Sequence, residues 1–254
     1  MIDALQTRLR QKHRTLRYPD GPPPELPPRF LGRPVLSANA RESDCQACAQ
    51  SCPTGAIAAD ARGMSLDIGK CLFCGVCRKA GGQGAVSFSG DYQLAAARRE
   101  DLVIRPGAPL RTPARNALAA KLLARSLKLR QVSAGGCNAC EADSNVLGTL
   151  AWDMGRFGIS FVASPRHADG LLITGPVTAN MRVALQKTYD AVPGPKIVIA
   201  VGACAIAGGP YIDHPEQSNG AASAVPVDLF IPGCPPHPLT ILDGLLRFIG
   251  RVGD

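Results

Sequence analysis

Apolar runs alternate with helical patterns through the second half of the chain. Five short apolar runs predict β-strands, at residues 127–132, 159–163, 170–174, 196–201 and 227–231. Between them, apolar residues three or four positions apart predict helices at residues 143–157, 178–191 and 239–252. Because strands that alternate with helices form parallel sheets, residues 127–254 are predicted to be a doubly wound α/β domain of flavodoxin-like topology.

The first half of the chain has weaker periodicity and divides into three parts. Residues 1–36 are basic and rich in proline, so they are predicted to be extended, apart from a short helical pattern within 1–17. Residues 37–92 contain six of the ten cysteines and are predicted to be a small α+β domain. Residues 93–126 are predicted to be a linker that ends in a basic amphipathic helix, from Pro113 to about Arg125.

Length and composition limit the class of protein. The chain has 254 residues, of which 46% are hydrophobic, enough for one large core or two smaller ones. No apolar run approaches the ~20 residues of a membrane span, and the N-terminus lacks the pattern of a signal peptide or of a paired-arginine export signal. We therefore expect a cytoplasmic protein, in which ten cysteines are more typical of metal binding than of disulfide bonds.

Charge is unevenly distributed along the chain. Residues 1–130 have a formal net charge of +11 and residues 131–254 a net charge of −3, within a total of +8. A basic half is compatible with nucleic acid, an anionic membrane surface or an acidic protein partner. Because aromatic residues that could stack on bases are few, we expect no nucleic acid partner and a solvated or subunit-facing basic surface. The predicted basic helix is compatible with lipid head groups, an acidic partner or solvent.

Four cysteines follow three of the predicted strands. Cys137 and Cys140 lie in the turn after the first strand, Cys204 follows the fourth strand and Cys234 follows the fifth. Parallel sheets bind their ligands beyond the carboxyl ends of the strands, where these turns lie. Thiolates suit iron–sulfur clusters or zinc, and we interpret the four as one cluster site. The turns contain neither a dinucleotide fingerprint nor a P-loop, so no flavin or nicotinamide is predicted.

The cysteines of the small domain fit part of the pattern of bacterial two-cluster ferredoxins. Each half of that pattern reads C-x2-C-x2-C-x3-C-P, and the fourth cysteine of each half serves the cluster of the other half. Cys71, Cys74 and Cys77 fill the first three places of one half, and Cys52, followed by Pro53, fills the fourth place of the other. These four cysteines are predicted to hold one 4Fe–4S cluster.

The second cluster of that pattern is predicted to be absent. Its missing places fall on Glu42 and Gly81, which leaves Cys45 and Cys48 as remnants. Alternatively the pair is two buried free thiols, a chance disulfide or an adventitious metal site. Zinc is an alternative for the whole cysteine set, but structural zinc prefers two separated C-x2-C pairs.

These motifs carry a family resemblance over nearly the whole chain. The C-terminal domain resembles the small electron-transfer subunit shared by NiFe hydrogenases and respiratory complex I, through residues 164–169, 174–178, 202–204 and 232–236. The N-terminal part resembles the ferredoxin-like subunit of the same complexes, through residues 28–30, 52–57 and 71–77. The chain therefore resembles a fusion of two subunits that are usually separate.

The spacing of the first two sheet cysteines distinguishes two branches of that family. Complex I subunits have adjacent cysteines here, whereas hydrogenase subunits have C-x2-C, as in Cys137 and Cys140. With Glu141 directly after, the motif resembles membrane-associated energy-converting NiFe hydrogenases, including formate hydrogenlyase. The resemblance implies that Cys137, Cys140, Cys204 and Cys234 hold the 4Fe–4S cluster nearest a NiFe site on a separate large subunit.

The resemblance implies an oxidoreductase subunit that conducts electrons and performs no bond-making chemistry itself. Two 4Fe–4S clusters would connect the NiFe large subunit to a further carrier, either another iron–sulfur protein or formate dehydrogenase. Membrane subunits of the complex would hold the chain at the cytoplasmic face of the inner membrane. The alternatives are the cluster-bearing subunit of a complex-I-like quinone oxidoreductase and a free-standing iron–sulfur electron carrier.

Three polar residues near these motifs have two interpretations each. Glu141 relays protons at the subunit interface, or caps the helix after its turn. His237 tunes the cluster through a hydrogen bond, or, as we expect, is a surface-loop histidine. Arg166 stabilises the charge of the cluster or of a partner carboxylate, or forms a plain interdomain salt bridge.

Overall fold

The molecule combines three β-sheets with eight α-helices in the part described by the computed structural model, residues 2–12, 14–22, 24–60, 63–82, 84–108 and 116–253. The predicted helix start at Pro113, with Arg111 and Arg115, lies outside these residues. Along the chain the elements are α1 (Ile2–Gln11), β1 (Pro34–Leu36), α2 (Glu42–Ser51), β2 (Ile57–Asp60), β3 (Gly63–Asp67), α3 (Val76–Ala80), β4 (Val86–Phe88), β5 (Val103–Ile104), α4 (Ala117–Leu123), β6 (Leu127–Ser133), α5 (Ala139–Val146), β7 (Ile159–Phe161), β8 (Gly170–Thr174), α6 (Ala179–Ala191), β9 (Ile197–Val201), α7 (Ala203–Ala207), β10 (Leu229–Ile231) and α8 (Pro238–Phe248).

The C-terminal half is built on a five-stranded parallel sheet. Its strand order is β10-β9-β8-β6-β7, which is the flavodoxin-like order 2-1-3-4-5 read from the other edge. Every residue of β8 and β9 is buried, as expected for central strands covered by helices on both faces. The predicted flavodoxin-like fold and all five predicted strands are confirmed, with ends shifted by a few residues.

Two of the three predicted C-terminal helices are confirmed as α6 and α8. Helix α8 begins with Pro238 in its first turn, where the missing amide costs nothing, and all its residues are buried. The predicted helix at residues 143–157 was wrong. Helix α5 starts earlier, after Asn138 in a left-handed conformation, and ends at Val146 in a series of turns. The short α7, directly after the fourth strand, was not predicted.

The N-terminal half has the predicted α+β character. Strands β2, β3 and β5 form an antiparallel sheet, and β1 pairs with β4. Strand β5 comes from the segment that the sequence assigns to the linker. Helix α2 has Glu42 and Asp44 in its first turn, which suits the helix dipole, and ends at Cys52, whose extended backbone is favoured by the following proline.

The two halves share one apolar core. Gly69 beside the small sheet approaches Ile206 of α7 and Leu102, so closely that an added Cβ would lie 2.8 Å and 2.9 Å from their side chains. Between the halves, the backbone of Ala96 forms an antiparallel bridge with Phe230 of the edge strand β10. These contacts fix the small domain against the parallel sheet.

The N-terminal segment runs along the C-terminal domain. The amide of Leu16 donates to the carbonyl of Ala151 at 2.9 Å, and the Tyr18 hydroxyl donates to buried Asp243 of α8 at 2.5 Å. Arg247, one turn further along α8, binds the same carboxylate. No helix in the described part of the chain is both long and apolar enough to cross a membrane.

Candidate metal centre

Four cysteines gather at the carboxyl edge of the parallel sheet, as the sequence predicted from the strand ends. Cys137 and Cys140 follow β6. Cys204 lies in α7 after β9, and Cys234 follows β10. Cys140 interacts electrostatically with the other three, and burial followed by their proximity raises the pKa of its thiol. Cys137 and Cys234 are exposed, so this group of thiols opens onto the protein surface.

Two glycines lie against these cysteines, and because they have no side chain there is room for the sulfurs of Cys140 and Cys204. A Cβ at Gly202 would lie 2.5 Å from Cys140 Sγ, and a Cβ at Gly209 would lie 2.6 Å from Cys204 Sγ. Both glycines also have positive φ angles, 91° and 57°, which side chains rarely adopt. Neither was singled out from the sequence. The signal available there was only the Gly-Ala-Cys turn after a strand.

Glu141 is buried directly beside these thiols. It lies in the first turn of α5, and its Oε1 accepts hydrogen bonds of 2.6 Å from the hydroxyls of Ser133 and Thr174. These two hydroxyls end β6 and β8, so the carboxylate is held by side chains from two strands and does not cap the helix backbone with this oxygen. Ser133 and Thr174 were missed from the sequence because nothing there links them to Glu141.

His237 lies at the start of α8 near Cys234 and packs against two aromatic rings, so it is not the free surface-loop histidine that we expected. Its ring is half-buried and contacts Phe30 and Trp152 edge-on, at centroid distances of 5.3 Å and 5.7 Å. Nδ1 accepts a hydrogen bond from the Leu239 amide and so caps α8. Burial lowers the pKa of this imidazole. Arg166 is exposed and has no ion pair recorded within the described residues.

A second group of four cysteines surrounds a cavity in the small domain. Cys71 and Cys74 line it from the loop before α3, Cys77 lines it from the first turn of α3, and Cys52 lines it from the position directly after α2. Burial raises the pKa of the Cys71 thiol to about 12, with smaller contributions from the other three thiols. The chain thus brings together the four cysteines that the ferredoxin pattern groups.

Backbone amides point at two of these sulfurs. The amide of Ala56 donates to Cys52 Sγ at 3.2 Å, and the amide of Phe73 donates to Cys71 Sγ at 3.3 Å. Such bonds favour the thiolate form and are one of the means by which proteins set the reduction potential of a cluster.

Cys45 and Cys48 do not line that cavity and lie on the buried face of α2. Cys48 is fully buried, and its thiol donates to the Cys77 carbonyl at 3.4 Å. Burial raises the pKa of Cys48 to about 11. Gly81, where the pattern expects a further cysteine, has no room for a side chain because Cys48 Sγ fills the space. The pair is therefore packed as core thiols.

The two groups of four face each other. Burial raises the pKa of the Cys234 thiol, with smaller contributions from nearby Cys137 and from Cys74 of the small domain. Phe73, next to Cys74, lines one cavity together with Cys234 and Phe30. The loop of the small domain and the edge of the parallel sheet thus meet at this point.

The spacing of the thiols bears on which metal group they fit. Within the described residues, no three His, Cys, Asp or Glu side chains converge closely enough to hold a single metal ion. One zinc ion needs sulfurs at about 2.3 Å from a common centre. A cubane binds each thiolate through a different iron, so it fits four thiols placed around a cavity, as Cys52, Cys71, Cys74 and Cys77 are in the small domain.

Comparisons with known proteins identify the family of the chain. The sequence profile of the NADH ubiquinone oxidoreductase 20 kDa subunit matches residues 137–248. A probable membrane-bound hydrogenase subunit of Pyrococcus furiosus is 41% identical over 132 residues, which are 52% of this chain and 79% of that protein. Formate hydrogenlyase subunit 7 of Escherichia coli is 44% identical over 51% of each chain, so this chain spans about half the length of that relative. A subunit of the NADH-quinone oxidoreductase of Clostridium beijerinckii is 43% identical over 46% of this chain and 70% of its own length.

The flavodoxin-like sheet with cysteines at three strand ends, together with these relatives, defines a subunit of the oxidoreductase class. The chain belongs to the family of the 20 kDa subunit of NADH-ubiquinone oxidoreductase, which includes hydrogenase and formate hydrogenlyase subunits among the relatives named above.

Proposed function

We propose that this chain is the electron-transfer subunit of a multisubunit NiFe hydrogenase complex of the formate hydrogenlyase type. The observation that carries the proposal is the presence of two groups of four cysteines, one at the carboxyl edge of the parallel sheet and one around a cavity of the small domain, with Phe73 and Cys234 lining a further cavity between them. Two relatives named as hydrogenase or formate hydrogenlyase subunits support the same branch, as does the C-x2-C spacing of Cys137 and Cys140.

Each group of thiols is proposed to hold one 4Fe–4S cluster. The sheet cluster would be bound by Cys137, Cys140, Cys204 and Cys234. Clusters of this type supply one-electron transfer, and their potentials depend on burial and on hydrogen bonds to sulfur. The exposed Cys137 and Cys234 would put this cluster next to a NiFe large subunit docked on the sheet edge.

The second cluster would be bound by Cys52, Cys71, Cys74 and Cys77, and would exchange electrons with the next carrier, an iron–sulfur protein or formate dehydrogenase. The amides of Ala56 and Phe73 donate hydrogen bonds to two of the sulfurs that would bind it. This chain's own contribution is to hold both groups in one molecule, on either side of the cavity lined by Phe30, Phe73 and Cys234.

Glu141 is proposed to relay protons beside the sheet cluster. Two hydroxyl donors hold its carboxylate in one orientation, and it is buried next to thiols that open to the surface where the large subunit would dock. A buried carboxylate that hydrogen-bond donors hold in one orientation is positioned for proton transfer.

Membrane subunits are proposed as further partners, with the chain held peripherally at the cytoplasmic face of the inner membrane. The relative named as a membrane-bound hydrogenase subunit supports this location.

A complex-I-like quinone oxidoreductase is the second candidate function, because the NADH-quinone oxidoreductase relative is 43% identical. In that case the sheet cluster would pass electrons towards quinone.

Metal analysis of anaerobic preparations tests the proposal. The chain alone is expected to contain about eight iron and eight acid-labile sulfide. The native complex is expected to contain nickel as well and to reduce a dye with hydrogen. Iron and sulfide without nickel or hydrogen-dependent activity would favour the quinone oxidoreductase, and a stable monomer with clusters but no partner would favour a free carrier. Tightly bound zinc without iron or sulfide would exclude all three.

A further inference from the structure

Helix α1 exposes an apolar stripe that the rest of the molecule does not cover. Ile2, Leu5 and Leu9 are 72%, 63% and 76% exposed, and none of the helix's residues is buried. Their spacing of three and then four residues places them within an arc of about 60° on one side of the helix. Large apolar side chains grouped in this way indicate an interaction surface.

Cationic side chains border this stripe. Arg8 and Arg10 lie on opposite sides of it at helical spacing, and three further basic residues follow the helix or begin the next segment, Lys12, Arg14 and Arg17. Asp3 is the only acidic residue in residues 2–17. An apolar stripe with cations along both borders has the complementary chemistry of an anionic bilayer surface, which takes up apolar side chains and attracts the cations.

The position of α1 is limited by the segment that follows it. Thr15 Oγ1 donates to the Leu150 carbonyl at 2.9 Å, and Leu16 binds the neighbouring Ala151. Tyr18 then fixes the segment to α8. Leu150 is itself 68% exposed, so a further apolar side chain lies at the point where the segment reaches the protein.

The other basic helix is different. Ala119 and Ala120 of α4 are buried against the protein, and of its large apolar side chains Leu122 is exposed, by 51%. One face of α4 therefore packs against the protein, whereas the whole apolar stripe of α1 is exposed to solvent.

We propose that α1 lies on an anionic membrane surface, with its apolar stripe at the level of the acyl chains and its arginines at the phosphates. A ten-residue helix is marginal by itself in water, and contact with a bilayer would stabilise it. The proposal depends neither on the clusters nor on the electron-transfer role.

Co-sedimentation of the full-length chain with vesicles tests it. Vesicles of equal parts phosphatidylcholine and phosphatidylglycerol are expected to bind the chain, and pure phosphatidylcholine is expected to bind it far more weakly. The double variant Arg8→Gln with Arg10→Gln should weaken binding about thirtyfold, since each cation contributes about 1 kcal/mol near an anionic surface. The double variant Leu5→Gln with Leu9→Gln should weaken it by at least as much, because it removes the buried apolar area.

Matched controls are available on α6, where Val183→Gln and Lys187→Gln change exposed residues of the same kinds. These controls should leave vesicle binding unchanged, and circular dichroism should show all variants folded, since α1 contributes no residue to the core.

Four outcomes would overturn the proposal. Equal binding to neutral and anionic vesicles, or normal binding by both α1 variants, would exclude it. If the leucine variant instead converts a dimer to a monomer in analytical ultracentrifugation, the stripe contacts a second copy of the chain. If wild-type chain binds only to vesicles that contain the complex's membrane subunits, the stripe contacts a protein.

Discussion

The molecule brings four thiols together twice, by two different means. In the small domain, Cys71, Cys74 and Cys77 come from one short segment, the loop before α3 and the first turn of that helix, and Cys52 directly follows α2. At the parallel sheet, the four cysteines come from three turns spread over residues 137–234. The first group depends on the conformation of a loop, whereas the second depends on the register of a sheet. Local change should therefore affect the two groups differently.

The largest expected effect follows from removing a sheet thiol. Cys204→Ala should remove about half of the iron and sulfide. The proposed cluster at the parallel sheet needs four thiolates, whereas the proposed cluster of the small domain keeps all four of its own. Hydrogen-dependent dye reduction should be lost, and one set of electron paramagnetic resonance signals should remain. Loss of all the iron would show that the two groups do not assemble independently.

A substitution at Gly202 tests whether the cysteines at the parallel sheet depend on close packing. Gly202→Ala places a methyl group against Cys140 Sγ at a φ of 91°, which should destabilise the fold by about 1–3 kcal/mol and lower occupancy of the sheet cluster only. Thermal unfolding and iron content measure both effects. Gly155→Ala, where the added atom meets only ordinary contacts, is the control and should change neither.

The carboxylate beside the sheet group should affect turnover without affecting the clusters. Glu141→Gln keeps an oxygen near Ser133 and Thr174 but cannot carry a proton, so hydrogen evolution should fall by about 10²-fold or more. Iron content and resonance spectra should remain those of the wild type. An unchanged rate with a lowered melting temperature would instead assign Glu141 a purely structural role.

The smallest effect is expected at the remnant pair. Cys48→Ala should leave the iron content unchanged and destabilise the protein by about 1 kcal/mol, because it removes a fully buried side chain without removing a ligand. Chemical denaturation measures the loss. Cys74→Ala changes an exposed cysteine that is a proposed ligand, and this variant should lose the iron of the small-domain cluster. Iron loss in Cys48→Ala would mean that a second cluster exists in the small domain.

Sequence reasoning predicted the fold and the grouping of the cysteines because both follow from local signals. The five strands have apolar runs, and three of them end in cysteine-containing turns. The wrong extent of α5 has a local cause as well, since the left-handed Asn138 starts the helix early. Contacts between distant residues were not predictable, because neither the pairing of Ser133 and Thr174 with Glu141 nor the packing of His237 leaves a pattern in the chain.

The close packing of Gly69 on Ile206 has a consequence for how the proposed electron transfer between the two domains behaves at low protein concentration. Two separate subunits meet only as often as their affinity allows, and dilution parts them. Here one peptide chain contains both domains, so their association is intramolecular. The effective concentration of one domain at the other is therefore independent of the protein concentration. The handover between the halves should therefore follow first-order kinetics even in very dilute solution.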